Sequence, residues 1–310
     1  MWDTEVDLVC IGAGIGGLAG AIATVDAGGD VIVADPSRDL GDDAWPVATG
    51  RCVGALRGWL QHEAVDVDTD DFLSAVAEGL DPSARRADAS RVPMRVASAW
   101  TADKRSVEPF IGASIRAWDA QCLASPYGML YSSVFGWHTT EMRSSDGETI
   151  AVMPIGEMDW HDGLGEHDLA DWMAAQARER DVEVLASTRL QRLVFEDGLI
   201  VGVVLETPDG PFAVRSRRGV ALSPRDQEPA SADRPTDPSP GERKQVSLVG
   251  RTASRFGRVE LVTIAAPTAV ARPVCAVPAR QLRDNLRESR PVPSDAWRCG
   301  KVHGHTTFGQ

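Results

Sequence analysis

Val6 to Asp35 reads VDLVCIGAGIGGLAGAIATVDAGGDVIVAD, and this stretch decides the fold. Val6 to Ile11 is a short β-branched and apolar run that stops at glycine, the pattern of a buried strand. Ile15 to Ala27 is small and apolar throughout, as expected of a helix packed closely on a sheet. Asp30 to Asp35 (DVIVAD) is a second buried strand. Strand, helix and strand within about thirty residues form a βαβ unit and predict a parallel pair. Gly12-Ala13-Gly14-Ile15-Gly16-Gly17 supplies GxGxxG at the strand-to-helix turn. Gly12 permits the tight turn, Gly14 allows close approach of a pyrophosphate, and Gly17 allows helix and strand to pack. The N–H groups that open the helix, at Ile15, Gly16 and Gly17, then face the phosphates. Asp35 closes the second strand, where a carboxylate meets ribose hydroxyls. The segment is therefore read as a dinucleotide-binding unit.

Outward from this unit, residues 51–64 and 70–80 have amphipathic helical spacing. Arg91 to Trp100 and Tyr127 to Val134 read as strands, with a helix over Gly112 to Leu123 between them. Glu148 to Ile155 is a further strand. Residues 166–180 (EHDLADWMAAQARER) place Leu169, Trp172, Met173 and Ala177 on one helical face. Val182 to Leu222 is the densest strand region, and Asp197-Gly198 and Asp209-Gly210 are hairpin turns. Residues 223–244 hold five prolines and almost no large apolar side chain, so they read as a flexible linker. Strands at Val246 to Arg251, Arg258 to Ile264 and Arg272 to Val277 follow, with a short helix over Ala279 to Ser289. The domain reading is a dinucleotide-binding domain over 1–90 and 166–222 to which 245–310 returns, and a cap or substrate segment over 91–165.

The 310 residues carry a net charge of −13, which argues against a general nucleic-acid binder. The charge is uneven: residues 1–220 hold 36 acidic and 18 basic side chains, residues 221–310 hold 9 and 14. A basic C-terminal region of this kind is either a solvated face or a surface for a partner subunit. Five scattered cysteines without a CxxC pair read as reduced thiols, with no zinc site. The acidic start, Met1 to Glu5, lacks the basic flank of a secretory signal, and no apolar run reaches the length of a membrane span. A cytoplasmic protein without a membrane span is expected.

The glycine fingerprint serves FAD and NAD alike. Four stretches decide between them. Residues 5–35 resemble the N-terminus of FAD-dependent oxidoreductases of the fumarate reductase and ketosteroid dehydrogenase type. Gly41 to Gly50 (GDDAWPVATG) resembles the GGxSxxxATGG segment that lies along the flavin in that family. Residues 172–206, ending in Glu196-Asp197-Gly198-Leu199-Ile200-Val201-Gly202-Val203, resemble its helix, strand and hairpin. Gly304-His305-Thr306-Thr307-Phe308-Gly309 is similar to its last flavin-binding segment. The resemblance implies an α/β fold: a Rossmann-like FAD-binding domain with a parallel sheet and a β-hairpin or meander, plus a small α+β cap domain. It implies FAD as cofactor, with Thr49 and Gly50 beside the flavin and the backbone of Leu190 meeting the adenine. The family's ATGG strand end is here Ala221-Leu222-Ser223-Pro224, in which only Ser223 keeps a hydroxyl.

Tyr127 and Tyr131, the two tyrosines of the chain, lie four apart before Trp137-His138. That spacing suits either a pocket wall or a core face. By analogy with the tyrosines of ketosteroid dehydrogenases, Tyr131 and His138 are the candidates for proton transfer. Glu157, His161 and His167 have no metal-ligand spacing, His303-Gly304-His305 reads at most as an adventitious metal binder, and Arg116 and Arg143 could hold a carboxylate. Two functions fit. One is an FAD-binding oxidoreductase that moves a hydride to or from a small organic molecule, with steroid-like and carboxylate compounds among the candidates. The other is a degenerate subunit of the same fold that binds a partner protein without turnover.

Overall fold

The computed structural model describes residues 1–36, 56, 66–80, 91–99, 112–133, 139–161, 163–224 and 242–265. The chain divides into two units, Met1–Thr268 and Ala269–Gln310, and every described residue belongs to the first. The βαβ unit forms as expected. β1 (Thr4–Ile11) and β2 (Val31–Ala34) run parallel, joined by α1 (Ile15–Asp26). The remaining elements are α2 (Val67–Ala77), β3 (Met94–Ala99), α3 (Gly112–Leu123), β4 (Gly128–Tyr131), β5 (Thr140–Ser144) and β6 (Thr149–Trp160). They are followed by α4 (Glu166–Glu179), β7 (Glu183–Leu185), β8 (Arg189–Glu196), β9 (Leu199–Thr207), β10 (Gly210–Leu222), β11 (Glu242–Gly250) and β12 (Phe256–Ala265).

All twelve strands share one mixed sheet, ordered β11-β6-β5-β3-β12-β4-β10-β1-β2-β7, with β8 and β9 joined to it through β10. The expected parallel character holds for β7, β2, β1 and β10. The antiparallel half was not expected in this form. β11 also pairs with β12, so β11, β6, β5, β3 and β12 close into a five-stranded ring. Residues 91–165, expected as a small α+β cap, supply β3, β4, β5 and β6 to this same sheet. Of the expected linker, residues 225–241 lie outside the described residues. Ser223 and Pro224 are buried, and Glu242 to Lys244 open β11. The helix expected over 51–64 is described only at Leu56. The strand at 272–277, the helix at 279–289 and the tail segment 304–309 lie outside the described residues.

Strand alternation divides the core into two faces. Leu8 and Cys10 of β1 meet Ile15, Leu18 and Ile22 of α1 and Leu169 and Met173 of α4 on one face. Val9 and Ile11 meet Ile32, Val220 and Leu222, under the β8–β9 hairpin, on the other. Each fully buried Val, Leu or Ile of this kind contributes roughly 1.5–3 kcal/mol. Trp118 of α3 and Leu73 of α2 cover the second face. Asp197 and Gly198, both at positive φ (51° and 77°), make the tight turn between β8 and β9. β10 links the two halves. It pairs with β1 along one edge, and with β9 and then β4 along the other.

Candidate functional site

The glycine loop stands where β1, β2 and β10 end together. Gly12 has φ +97°, a conformation that strongly favours glycine. Its N–H donates to the Ala34 carbonyl at 2.8 Å, while the Ser223 N–H donates to the Ile11 carbonyl at 2.9 Å. Each later glycine meets a carbonyl oxygen at close range. A Cβ on Gly14 would lie 2.1 Å from the Pro224 oxygen, one on Gly16 would lie 2.3 Å from Gly128, and one on Gly17 would lie 2.1 Å from Gly12. Gly17 thus plays the packing role read from the sequence. Gly14 is explained differently: its bare Cα accommodates the Pro224 carbonyl. Ser223 is 1% exposed, and its hydroxyl donates to the Gly128 carbonyl at 3.3 Å, which ties the end of β10 to the start of β4. Pro224 and Gly128 had no motif of their own; their role follows from strand ends that meet only in the fold.

The start of α1 is chemically unlike those of α2 and α4. α2 begins with the Asp66 carboxylate accepting from the Thr69 N–H. α4 carries Glu166 and Asp168 in its first turn, and Asp168 accepts from the Gly165 N–H at 2.9 Å. α1 begins at Gly14 with no side-chain cap and no acid in its first turn. Its opening N–H groups and its positive dipole end are therefore set up for an external anion. This bare terminus, beside a glycine turn no other residue tolerates well, fits a dinucleotide pyrophosphate. Ile15, the first helical residue, is fully buried and anchors the loop in the core.

Asp35 is buried at the end of β2. Its backbone pins the loop before β8: its N–H donates to the Leu185 carbonyl (2.9 Å), and its carbonyl accepts from the Thr188 N–H (2.8 Å). That loop places Ser187 and Arg189 beside Pro36, and a cavity of about 220 Å³ opens there, lined also by Glu206, Thr207 and Pro208. Leu190 follows Arg189 on β8, pairs with Leu205, and is 2% exposed. β8 pairs with β9 alone among the described strands, leaving its outer edge for other partners. Farther along, that edge is used by the Leu193 N–H, which donates to the Thr69 hydroxyl at 2.8 Å. The glycines, Asp35, Leu190 and Ser223 thus gather around the C-terminal ends of β2, β1 and β10 and the adjoining start of β8. Arg189 and Glu206, which line this cavity, do not stand out in the sequence, because a charged pair on a hairpin has no local signature.

Tyr131 lies elsewhere. β4 starts at the glycine loop with Gly128 and runs antiparallel to β10, so Tyr131 sits about 10 Å farther along the sheet. Its ring is buried with Tyr127, and its hydroxyl donates to the Arg218 carbonyl. The structure does not bring it to the loop. Thr49, Gly50 and His138 lie outside the described residues. Cys10 and Cys122 are buried free thiols whose pKa burial pushes up. No group of residues able to hold a metal occurs among the described residues, nor any helix long and apolar enough to cross a membrane.

A family model described as FAD binding domain matches residues 7–241. The chain belongs to that family, and its cofactor is FAD. No curated protein matches the chain. Solved structures that are similar include the 3-ketosteroid-Δ4-(5α)-dehydrogenase of Rhodococcus jostii RHA1, 20% identical over 71% of this chain and 46% of that one, with a TM-score of 0.30. A flavocytochrome c3 fumarate reductase is 14% identical over 70% and 33%, also with a TM-score of 0.30. A geranylgeranyl bacteriochlorophyll reductase-like protein of Thermoplasma acidophilum is 12% identical over 69% and 38%, with a TM-score of 0.28. The chain spans between a third and a half of the length of these proteins.

Proposed function

We propose that this protein is an FAD-dependent oxidoreductase that transfers a hydride to or from a small organic molecule. The observation that carries the reading is the uncapped, acid-free start of α1 beside Gly12 at positive φ, within a chain of the FAD binding domain family. Bound FAD supplies the two-electron redox chemistry; the protein supplies binding, orientation and exclusion of water. In this reading the N–H groups of Ile15, Gly16 and Gly17 hold the pyrophosphate. Asp35 meets the adenosine ribose, the Leu190 backbone meets the adenine, and Thr49 and Gly50 lie along the flavin. Ser223 holds the loop in register through Gly128. The substrate side is assigned to residues 91–165, with a steroid-like or carboxylate compound as its class, and the setting to the cytoplasm. Tyr131, whose hydroxyl donates to the Arg218 carbonyl, and His138 are the candidates for proton transfer.

Anaerobic reduction of the bound flavin by a panel of steroid, carboxylate and nicotinamide donors tests this reading. Bleaching by one donor class supports the enzyme. A bound flavin that no donor reduces, and that no acceptor reoxidises after chemical reduction, points to the second reading, a partner-binding subunit that uses its basic C-terminal region.

A further inference from the structure

We propose that the Arg189–Glu206 pair reads the adenine of FAD through its side chains, so that the hairpin edge selects an adenine dinucleotide over other flavins. The inference rests on the FAD-binding reading above and adds the residues that give it base specificity. Arg189 of β8 and Glu206 of β9 are register partners in an antiparallel pair. Opposite charges in that position ordinarily attract across the strands. Here neither side chain makes a hydrogen bond or an ion pair among the described residues; both line the cavity of about 220 Å³. The lining also includes Pro36, the residue after Asp35, and Thr207 and Pro208 of the turn that follows β9. Ser187, also in the lining, is held at φ +53°, an uncommon conformation for serine and one found at ligand clamps. Pro36 follows Asp35, whose backbone hydrogen bonds to Leu185 and Thr188 tie the end of β2 to the segment that carries Ser187 and Arg189.

The donor pattern matches adenine. A carboxylate only accepts and a guanidinium only donates. Adenine offers an amino donor at N6 beside ring-nitrogen acceptors. Glu206 accepts from the amino group while Arg189 donates to a neighbouring ring nitrogen. Hypoxanthine carries a carbonyl oxygen in place of the amino group and would set that oxygen against the Glu206 carboxylate. The proline walls, Pro36 and Pro208, give flat apolar surfaces to the ring.

Affinities of the purified full chain for FAD, for its hypoxanthine analogue and for FMN, read by flavin fluorescence, test the assignment without any turnover. The expected result is that wild type prefers FAD to the hypoxanthine analogue by tenfold or more. Arg189→Ala and Glu206→Ala each weaken FAD about tenfold, leave FMN binding unchanged and erase the preference. Both sites are exposed on a hairpin, and circular dichroism verifies that the variants fold. If wild type binds FAD and both variants bind it equally well, the Arg189–Glu206 assignment is overturned while the glycine-loop site stands. If wild type binds no FAD, the assignment falls together with the function on which it rests.

Discussion

Gly14→Ala, set beside Gly165→Ala, isolates what the glycine loop does. Both residues precede the first turn of a helix, α1 and α4 respectively, and both are extended, with φ of −69° and −138°. Alanine can adopt either conformation, so backbone strain is not the variable. The surroundings differ sharply. A Cβ on Gly14 would meet the Pro224 oxygen at 2.1 Å and the Ser223 hydroxyl at 3.2 Å, whereas one on Gly165 would meet nothing within 4 Å. The Pro224 oxygen belongs to the backbone and cannot swing aside as a flexible side chain can. Inserting one carbon into such a contact typically costs about 1–3 kcal/mol, which corresponds to a fall in melting temperature of roughly 1.5 to 5 °C in a chain of this size. The displaced Ser223-Pro224 backbone also moves the loop against which the cofactor is held. Gly14→Ala is expected to melt earlier and to bind FAD at least tenfold more weakly. Gly165→Ala is expected to stay within about 0.5 kcal/mol of wild type, with unchanged FAD affinity. Differential scanning calorimetry and a fluorescence titration read both quantities. Equal behaviour of the two variants would refute the reasoning, since only the neighbourhood of the new methyl group distinguishes them.

Two further outcomes follow from the packing. Glu260, 1% exposed, is held by Arg95 (2.6 and 3.0 Å) and Arg258 (2.7 Å) beside Trp118. Burial alone would raise its pKa, but the Arg95 hydrogen bonds and the Arg258 and Arg95 charges outweigh burial and lower it. Its stabilising contribution is therefore complete above the unfolded value, about 4.3, and is lost as pH falls through the lower folded value. Glu260→Gln, which takes the shared buried carboxylate from two partly buried guanidinium groups, should cost about 3 kcal/mol near neutral pH. The gap from wild type should narrow in acid; a gap independent of pH in urea unfolding would contradict the ionic account. Thr69→Val keeps the side-chain shape but removes the acceptor for the buried Leu193 N–H. It should cost about 1–3 kcal/mol, and a loss below 0.5 kcal/mol in the same assay would mean that α2 does not hold the hairpin edge.

The parts legible in the sequence are those whose causes are local. β1, α1 and β2 fall within two residues of their expected limits, because glycines and an acid punctuate continuous apolar runs. The α3 boundaries agree throughout, and the Asp197-Gly198 turn joins two strands as expected. The rest depends on partners distant in the chain. β5 (TEMRS) is short and mostly polar, and exists because β3 and β6 flank it on both edges. β6 runs on past its expected end at Ile155, through the acidic residues Glu157 and Asp159, because β11 pairs with it to Trp160. The Arg95–Glu260 contact spans 165 positions. At the site, the glycine motif and Asp35 were readable from spacing. The Pro224 carbonyl against Gly14 was not, because it requires the end of β10 to meet the start of α1 in space.

The most direct test of the central claim is the stoichiometry of FAD binding by the purified chain, followed by absorbance and fluorescence, for wild type and for Gly14→Asp. The start of α1 is predicted to take up one FAD per chain, and an aspartate at position 14 is predicted to abolish uptake, because its side chain displaces the Ser223-Pro224 backbone from the loop and adds a negative charge beside the opening N–H groups of α1. No saturable FAD binding by wild type, or undiminished binding by Gly14→Asp, would contradict the account.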